Sequence, residues 1–122
     1  MKIFGHDWMK SETFYSVETI EEIKRTPANA LLHINSLAEY IELITYCQKN
    51  SLAYALKITE IKEAIFANNL GAKYLLCSKD LAKELMPIAQ NYLFDTEVIA
   101  YISDESEMAE MAKFGVDGIK FR

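Results

Sequence analysis

The basic and polar side chains that lie at or near the ends of apolar segments are the residues best suited to chemistry. Lys57 follows Ala53–Leu56 directly, and His33 lies within the apolar segment Leu31–Ile34. A desolvated lysine can form a Schiff base or hold a phosphate, and a histidine can act as a general base. We therefore name Lys57 and His33 as the candidate catalytic residues. The simpler alternatives are a solvent-facing lysine and a neutral, hydrogen-bonded core histidine.

A candidate ligand site follows from where parallel strands end. In parallel α/β folds, ligands bind outside the carboxyl ends of the strands, where the following helices direct free N–H groups. The residues at those positions that suit a small anion are Lys57, Ser78, Ser103 and Lys120. Serines at such positions also cap helices, so a purely structural role is the alternative for Ser78. If the protein binds a small anion, we expect it near these four residues; the alternative is that the helix starts there have no ligand, as in any parallel α/β fold.

Other kinds of site lack their motifs. The histidines and cysteines, at His6, His33, Cys47 and Cys77, have no spacing typical of a metal site. Two cysteines do not make a disulfide framework. The chain has only four glycines, and neither a Gly-x-Ser-x-Gly turn nor a glycine-rich phosphate loop occurs. We expect no metal and no cofactor.

The charge balance argues against a nucleic-acid partner. Thirteen basic and eighteen acidic residues give a net charge of −5 at pH 7, whereas nucleic acid is held by Lys and Arg side chains. No apolar run reaches the ~18–20 residues that span a bilayer. The first eight residues leave no room for the apolar region of a signal peptide. We expect a cytoplasmic protein that binds neither nucleic acid nor membrane.

The elements that must position these residues follow from hydrophobic periodicity. Short apolar runs alternate with amphipathic helical segments, a pattern typical of parallel βαβ units. The runs are Ala30–Ile34, Leu52–Leu56, Tyr74–Cys77, Val98–Ile102 and Ile119–Phe121. We predict a single α/β domain over residues 1–122, with a mainly parallel sheet of five strands and helices on both faces. A sixth strand near the N-terminus is an alternative, and the sheet is either open and doubly wound or half-barrel-like.

Capping residues and apolar positions refine this prediction. Gly71 and Gly115, 44 residues apart, are predicted to end two helices in the left-handed conformation. Pro87 lies within a helical segment and predicts a kink or break near Met86. The predicted helix-capping residues are Ser36, Thr59, Ser78 and Asp104. The residues expected to be fully buried include Leu32, Ile34, Ala55, Leu75, Leu76, Ile99 and Ile119.

Residues 1–15 form an aromatic N-terminal segment that lacks helical periodicity. Phe4, Trp8 and Phe14 lie in it, together with Met1 and Met9. Such side chains bury large areas, so we predict a short strand or loop that covers one end of the core. The alternative is a surface for self-association. Because the chain is only half a barrel long and twofold dimers are the commonest assemblies, we expect a homodimer.

The C-terminal segment Glu97–Arg122 resembles two kinds of known βαβ unit. Val98–Ser103 followed by Gly115–Ile119 is similar to the closing units of barrel-type glycerophosphodiester phosphodiesterases. The same stretch resembles the end of a response-regulator receiver domain, with Ser103 at its hydroxyl position and Lys120 at its lysine position. Each resemblance covers about a fifth of the chain and implies a terminal helix followed by a buried strand.

The chain departs from both families at their functional residues. It lacks the His-Arg-Gly motif and paired acidic metal ligands of those phosphodiesterases, and Lys120-Phe121 replaces their Thr-Asp. Where a receiver carries acidic residues after its first strand and an aspartate after its third, this chain has His33–Asn35 and Cys77-Ser78. The whole chain resembles an uncharacterised family of small bacterial α/β proteins, which implies no activity.

Three functions remain open from the sequence. Our main interpretation is a non-catalytic cytoplasmic protein that acts by binding or self-association. The second is a small enzyme or phosphate-binding protein that uses the carboxyl ends of its strands. The third is a degenerate receiver-like signalling module, which requires a strand order with the second strand at a sheet edge. Convergence of the strand-end side chains on one place would favour the second interpretation.

Overall fold

The computed structural model describes residues 1–122 as seven strands and five α-helices. The strands are β1 (Lys2–Phe4), β2 (Phe14–Ser16), β3 (Leu31–Ile34), β4 (Tyr54–Lys57), β5 (Tyr74–Cys77), β6 (Glu97–Ile102) and β7 (Gly118–Phe121). The helices are α1 (Ile20–Lys24), α2 (Ile41–Lys49), α3 (Ile61–Asn69), α4 (Lys79–Asn91) and α5 (Met108–Lys113), the last preceded by a 3₁₀ turn at Glu105–Glu107. None of these helices combines the length and apolar character needed to cross a lipid bilayer.

All seven strands form one parallel sheet that curls toward a barrel. Its order is β1-β7-β6-β5-β4-β3-β2, so β2 to β7 lie side by side in chain order, while β1 pairs with β7 at the opposite edge from β2. The edge strands approach each other, because the ring centroids of Phe4 on β1 and Phe14 on β2 are 5.2 Å apart. Side chains rather than backbone hydrogen bonds bridge this gap. The half-barrel-like alternative therefore describes the sheet better than the open, doubly wound one.

The structure corrects two details of the predicted sheet. Seven strands are present rather than five or six, and both additional strands, β1 and β2, come from the aromatic N-terminal segment. Helices cover one face instead of both: every buried helix residue belongs to a cluster of 25 residues on the convex side. The concave side is filled by a separate cluster of six buried residues from the strands alone. Curvature explains the difference, since the concave side of a curled sheet has room only for side chains.

The concave cluster is closely packed. Its buried members are Phe4, Leu31, Ala55, Tyr74, Leu76 and Ile99. A Cβ atom added at Gly118 would lie 2.7 Å from the Cδ1 atom of Ile99 and 3.0 Å from the carbonyl oxygen of Lys2. Glycine is needed there because neighbouring strands leave no space for a side chain.

The burial predictions are confirmed. All seven residues expected in the core are 2% exposed or less. The five predicted strands correspond to β3–β7, with Tyr74–Cys77 at the predicted bounds and the others within a few residues. Apolar runs of this kind are buried on both faces in a parallel sheet, which is why their positions are readable from sequence.

Pro87 does not break its helix. Helix α4 continues through it from Lys79 to Asn91, so of the predicted kink or break near Met86 the break does not occur. Proline lacks the N–H that would bind the Lys83 carbonyl, but its fixed φ suits a helix. The neighbouring Leu85 and Met86 side chains are buried against the sheet, so tertiary packing maintains the helix across the missing hydrogen bond.

The helix starts follow the predicted chemistry only in part. Helix α2 begins after Tyr40 rather than after Ser36, and Asp104 precedes the 3₁₀ turn without a side-chain capping hydrogen bond. The Ser78 hydroxyl accepts a hydrogen bond from the Leu81 N–H at 3.2 Å, so Ser78 caps α4 as predicted. Helix α3 begins after Glu60 instead of Thr59, because Glu60 and Glu63 form a capping box. The Glu63 carboxylate also accepts hydrogen bonds from the Thr59 N–H and hydroxyl, both at 3.0 Å.

The helix ends repeat one motif. A left-handed residue follows each of α2 to α5, at Ser51, Gly71, Leu93 and Gly115. The next N–H in each case binds a carbonyl five residues earlier, as in Ala72 to Ala67 at 3.1 Å and Val116 to Met111 at 3.3 Å. The predicted caps at Gly71 and Gly115 are confirmed, and the repeat extends to two helices that lack glycine.

Replacing Leu93 with glycine is expected to stabilise the protein by about 0.5–1 kcal/mol, because a branched side chain strains a left-handed backbone. Leu93 has a φ of 52° and is 84% exposed, so little packing is lost. Urea unfolding measures the change, with Gly71→Ala as a control that should destabilise by a comparable amount. A less stable Leu93→Gly variant would contradict this account.

Candidate functional site

The strand register places several polar side chains on the concave face at the carboxyl edge of the sheet. His33 pairs with Ala55 and Lys57 pairs with Leu76, and both partners belong to the concave cluster. Lys120 pairs with Phe4 on one side and Tyr101 on the other. We call this edge the mouth and define it by Ser16, His33, Lys57, Tyr101, Lys120 and the following Arg122. The structure thus places the predicted candidates His33, Lys57 and Lys120 on the same side of the curled sheet.

Contacts link β2, β3 and β7 within the mouth. The Ser16 Oγ atom is 3.2 Å from the His33 Nδ1 atom. The His33 ring packs edge-on against Phe14 with 6.4 Å between ring centroids. The Lys120 Nζ atom lies 5.4 Å from the centroid of the same Phe14 ring. A histidine and a cation therefore contact one aromatic side chain, and a hydroxyl contacts the same histidine.

The environment of His33 lowers its pKa below the ordinary value of 6.5. Burial is the largest cause, followed by the positive charges of Lys120 and Lys57. His33 is consequently neutral at pH 7. In the unfolded chain, the His33 imidazole takes up a proton at a higher pH than in the folded protein. The contribution of His33 to stability is therefore complete above pH 6.5, and it is lost as the pH falls from 6.5 toward the pKa of the folded protein.

A third cation lies beside Tyr101. The Arg122 guanidinium carbon is 4.6 Å from the centroid of the Tyr101 ring, a cation–π arrangement. Burial raises the pKa of Tyr101, which the nearby Arg122 charge partly offsets, so the phenol keeps its proton at pH 7. Tyr101 can therefore donate a hydrogen bond to a ligand in the mouth.

The cations of the mouth have no acidic partners. None of Lys57, Lys120 and Arg122 forms an ion pair, although six ion pairs occur elsewhere in the chain. The amino ends of the strands are different. There Lys2 pairs with Glu97 at 2.6 Å, and the Tyr74 hydroxyl donates to Glu12 at 3.3 Å. Other lysines and arginines without an ion pair lie elsewhere in the chain, so what distinguishes the mouth is that three unpaired cations share the carboxyl edge of the sheet.

The two predicted serines serve local structure. The Ser78 hydroxyl caps α4, and the Ser103 N–H donates to the Glu107 carboxylate at 2.8 Å. That carboxylate also pairs with Lys79 at 2.9 Å, and the Lys79 ammonium and the Ser103 N–H lower the pKa of Glu107. A carboxylate therefore already occupies the start of the last helical segment, as Glu63 does at α3. Lys57 and Lys120 remain free to meet a ligand.

Ser16 and Arg122 complete a site that the sequence prediction named only in part. Ser16 ends a strand of three residues, which is too short to show a hydrophobic period. Its approach to His33 depends on pairing between β2 and β3. Arg122 follows Lys120 by two residues. Because alternate residues of a strand lie on the same face, this spacing could have predicted from the sequence that Arg122 lies beside Lys120.

Other parts of the molecule offer less for chemistry. A groove of about 610 Å³ between α2 and α3 is lined by apolar side chains such as Leu37 and Phe66 and by four polar residues. Those polar residues already have partners, because Lys62 pairs with Glu60, and Glu63 binds Thr59 in the cap of α3. Burial raises the pKa of the Cys47 thiol to about 11 and that of the Cys77 thiol to about 12, so neither is a reactive thiolate. No group of three or more potential metal ligands is present.

No known family model and no curated protein matches this chain. The resemblances of the C-terminal segment to phosphodiesterase and receiver units therefore remain predictions. The sequential strand order places β4, the second of the five strands predicted from sequence, between β3 and β5. A receiver would place that strand at an edge, so the order does not support a receiver-like module.

Proposed function

We propose that the protein binds a small phosphate-bearing anion at the mouth. The observation that carries this proposal is the unpaired positive charge of Lys57, Lys120 and Arg122 in a chain whose net charge is −5. Cations without carboxylate partners repel one another, and an anion bound among them removes that repulsion. Binding of phosphate at the carboxyl ends of the strands is the second of the three interpretations that the sequence leaves open.

The chemistry of the mouth suits a phosphate group. Lysine binds phosphate as a point charge, and arginine presents a planar fork that matches two phosphate oxygens. The phenol of Tyr101 and the hydroxyl of Ser16 supply neutral donors. The concave side beneath the mouth is filled by Leu76, Ile99 and their neighbours, so a ligand rests at the open edge of the sheet. A small ligand fits this arrangement best.

Calorimetric titration with inorganic phosphate tests the proposal. We expect saturable binding in the millimolar range, weakened about tenfold by Lys57→Ala and by Lys120→Ala, since losing one charged contact costs about 1.5 kcal/mol. Lys62→Ala is the matched control, because Lys62 lies on α3 with a 75% exposed side chain. Unsaturable heats, or equal affinities for the wild type and both variants of the mouth, would refute the proposal.

Binding of sulfate is expected to strengthen as the pH falls from 8 to 5.5. Sulfate keeps its charge over this range, so the change reports the protein. A bound anion offsets the charges of Lys57 and Lys120 and raises the lowered pKa of His33, and binding therefore takes up a proton. Calorimetry in buffers of different ionisation enthalpy measures this uptake. The His33→Asn variant should show no such pH dependence, and a wild type equally flat would contradict the coupling.

Self-association is a second candidate, favoured by exposed apolar side chains. Phe4 and Phe14 pack within their own chain, but Trp8 is 88% exposed. Phe66 and Tyr92 on the helical surface are 58% and 72% exposed. We propose that these residues support a homodimer. Light scattering at high micromolar concentration is the test: a dimer that Trp8→Ala or Phe66→Ser dissociates supports it, and a strict monomer removes it.

A further inference from the structure

Ser16 and His33 are adjacent at the ends of β2 and β3, where the register pairs them directly. Their side chains are in hydrogen-bonding contact through Ser16 Oγ and His33 Nδ1, 3.2 Å apart. Ser16 is exposed to solvent, whereas His33 is partly buried against Phe14. A hydroxyl that is open to a ligand and touches an imidazole nitrogen has the geometry of a nucleophile and its base.

The surroundings of this pair suit base catalysis. Neutral imidazole is required to accept a proton, and burial together with two nearby lysine charges keeps His33 neutral at pH 7. With its proton on Nε2, the ring accepts the Ser16 hydroxyl proton at Nδ1. Lys120 lies over Phe14, two residues before Ser16 on the same strand. The phosphate proposed to bind among the lysines is thus brought next to the Ser16 oxygen.

We propose that Ser16, activated by His33, accepts the phosphoryl group of a phosphate monoester held at the mouth. This inference rests on the proposed anion-binding function and adds a reaction to it. The Ser16 oxygen forms a bond to phosphorus while the bond from phosphorus to the ester oxygen breaks. The Ser16 proton moves to His33 Nδ1 and then to the leaving alkoxide or to solvent.

Water completes the reaction. His33 takes a proton from a water molecule, whose oxygen attacks the phosphoserine phosphorus, and the Ser16 oxygen leaves and regains a proton. Inorganic phosphate and an alcohol are the products, with no electron transferred and no further reactant consumed. Lys57 and Lys120 stabilise the negative charge on the phosphoryl oxygens in both steps.

Reaction with p-nitrophenyl phosphate tests the inference. We expect release of p-nitrophenolate and, after acid quenching, a phosphoryl group located on Ser16 by mass spectrometry. Ser16→Ala and His33→Asn should each lower the rate at least ~100-fold, the scale of losing a nucleophile or a general base. His33→Asn keeps a hydrogen-bonding group near the Nδ1 position, and Ser106→Ala is the matched serine control. An unchanged rate in Ser16→Ala would overturn the inference.

Vanadate provides a second measurement that does not depend on a leaving group. Vanadate adopts the five-coordinate geometry of phosphoryl transfer when a nucleophile reaches it, so the wild type should bind it at least ~10-fold more tightly than phosphate. Ser16→Ala should bind both anions equally. If the wild type binds phosphate but does not prefer vanadate, Ser16 is not a nucleophile, and the proposed anion site still stands. Loss of phosphate binding in the wild type would instead refute the proposed function itself.

Discussion

Replacing Leu75 with alanine is expected to lower the free energy of unfolding by about 2–5 kcal/mol, a large share of the stability of a small domain. Leu75 has no exposed surface and lies on the central strand β5. Its neighbours in register, Leu56 and Val98, are also fully buried and belong to the convex cluster. Because strands and helices enclose the Leu75 side chain on all sides, the surrounding residues cannot move in to fill the space that the leucine side chain leaves.

Urea unfolding of the wild type and Leu75→Ala measures this effect. Leu93→Ala is the matched control, since it removes the same atoms from a side chain that is 84% exposed. The control leaves the left-handed backbone strain unchanged, so we expect a change below about 0.5 kcal/mol. A cost under about 1 kcal/mol for Leu75→Ala would contradict the packing described for the convex core.

Reversing both lysine charges of the mouth is expected to weaken phosphate binding at least ~100-fold. The Lys57→Glu, Lys120→Glu double variant removes two attractive charges and adds two carboxylates beside His33. Each charged contact contributes about 1.5–3 kcal/mol, so the combined loss of about 3–6 kcal/mol raises a millimolar dissociation constant to about 0.1 M or more. Calorimetric titration should therefore detect no binding.

A control variant separates local charge from net charge. Lys62→Glu with Lys113→Glu changes the net charge by the same amount but alters two exposed helix residues. We expect it to bind phosphate within about twofold of the wild type, because solvent and salt screen charges that lie more than about 10 Å apart. Equal weakening by both double variants would indicate a general electrostatic effect instead of a site.

The sequence predicted the inner five strands because each is buried on both faces. Runs such as Tyr74–Cys77 are apolar at every position, and this pattern needs no knowledge of neighbours. Strands β1 and β2 have three residues each and include Lys2 and Ser16, so they carry no comparable pattern. They are strands because their backbones pair with β7 and β3.

The side on which helices lie could not be predicted from periodicity. A strand that is apolar on both faces occurs in two kinds of sheet. One has helices packed on both of its faces, and the other is curled, with its concave side filled by its own side chains. Curvature depends on close approaches such as Gly118 to Lys2, which involve residues far apart in the chain. Helix α4 runs through Pro87 without a break for a similar reason, since packing overrode a local preference.

The candidate site was predictable where it depends on strand ends alone. Lys57 and Lys120 follow from the rule that ligands bind at the carboxyl ends of parallel strands. Their convergence with Ser16 depends on curling, which brings β2 and β7 toward each other although four strands separate them in the sheet. Of the two predicted serines, Ser78 caps α4 with its hydroxyl, and the Glu107 carboxylate accepts a hydrogen bond from the Ser103 N–H at the start of the last helical segment.

Chemical-shift mapping of the ¹⁵N-labelled protein during phosphate titration tests the central claim most directly. We predict saturable shifts that share one dissociation constant at the amides of Ser16, His33, Lys57 and Lys120, at the carboxyl edge of the sheet. The helical grooves lined by Phe66 and Tyr92 should stay unshifted. Shifts that increase linearly without saturation, or that centre on those grooves, would contradict an anion site at the mouth.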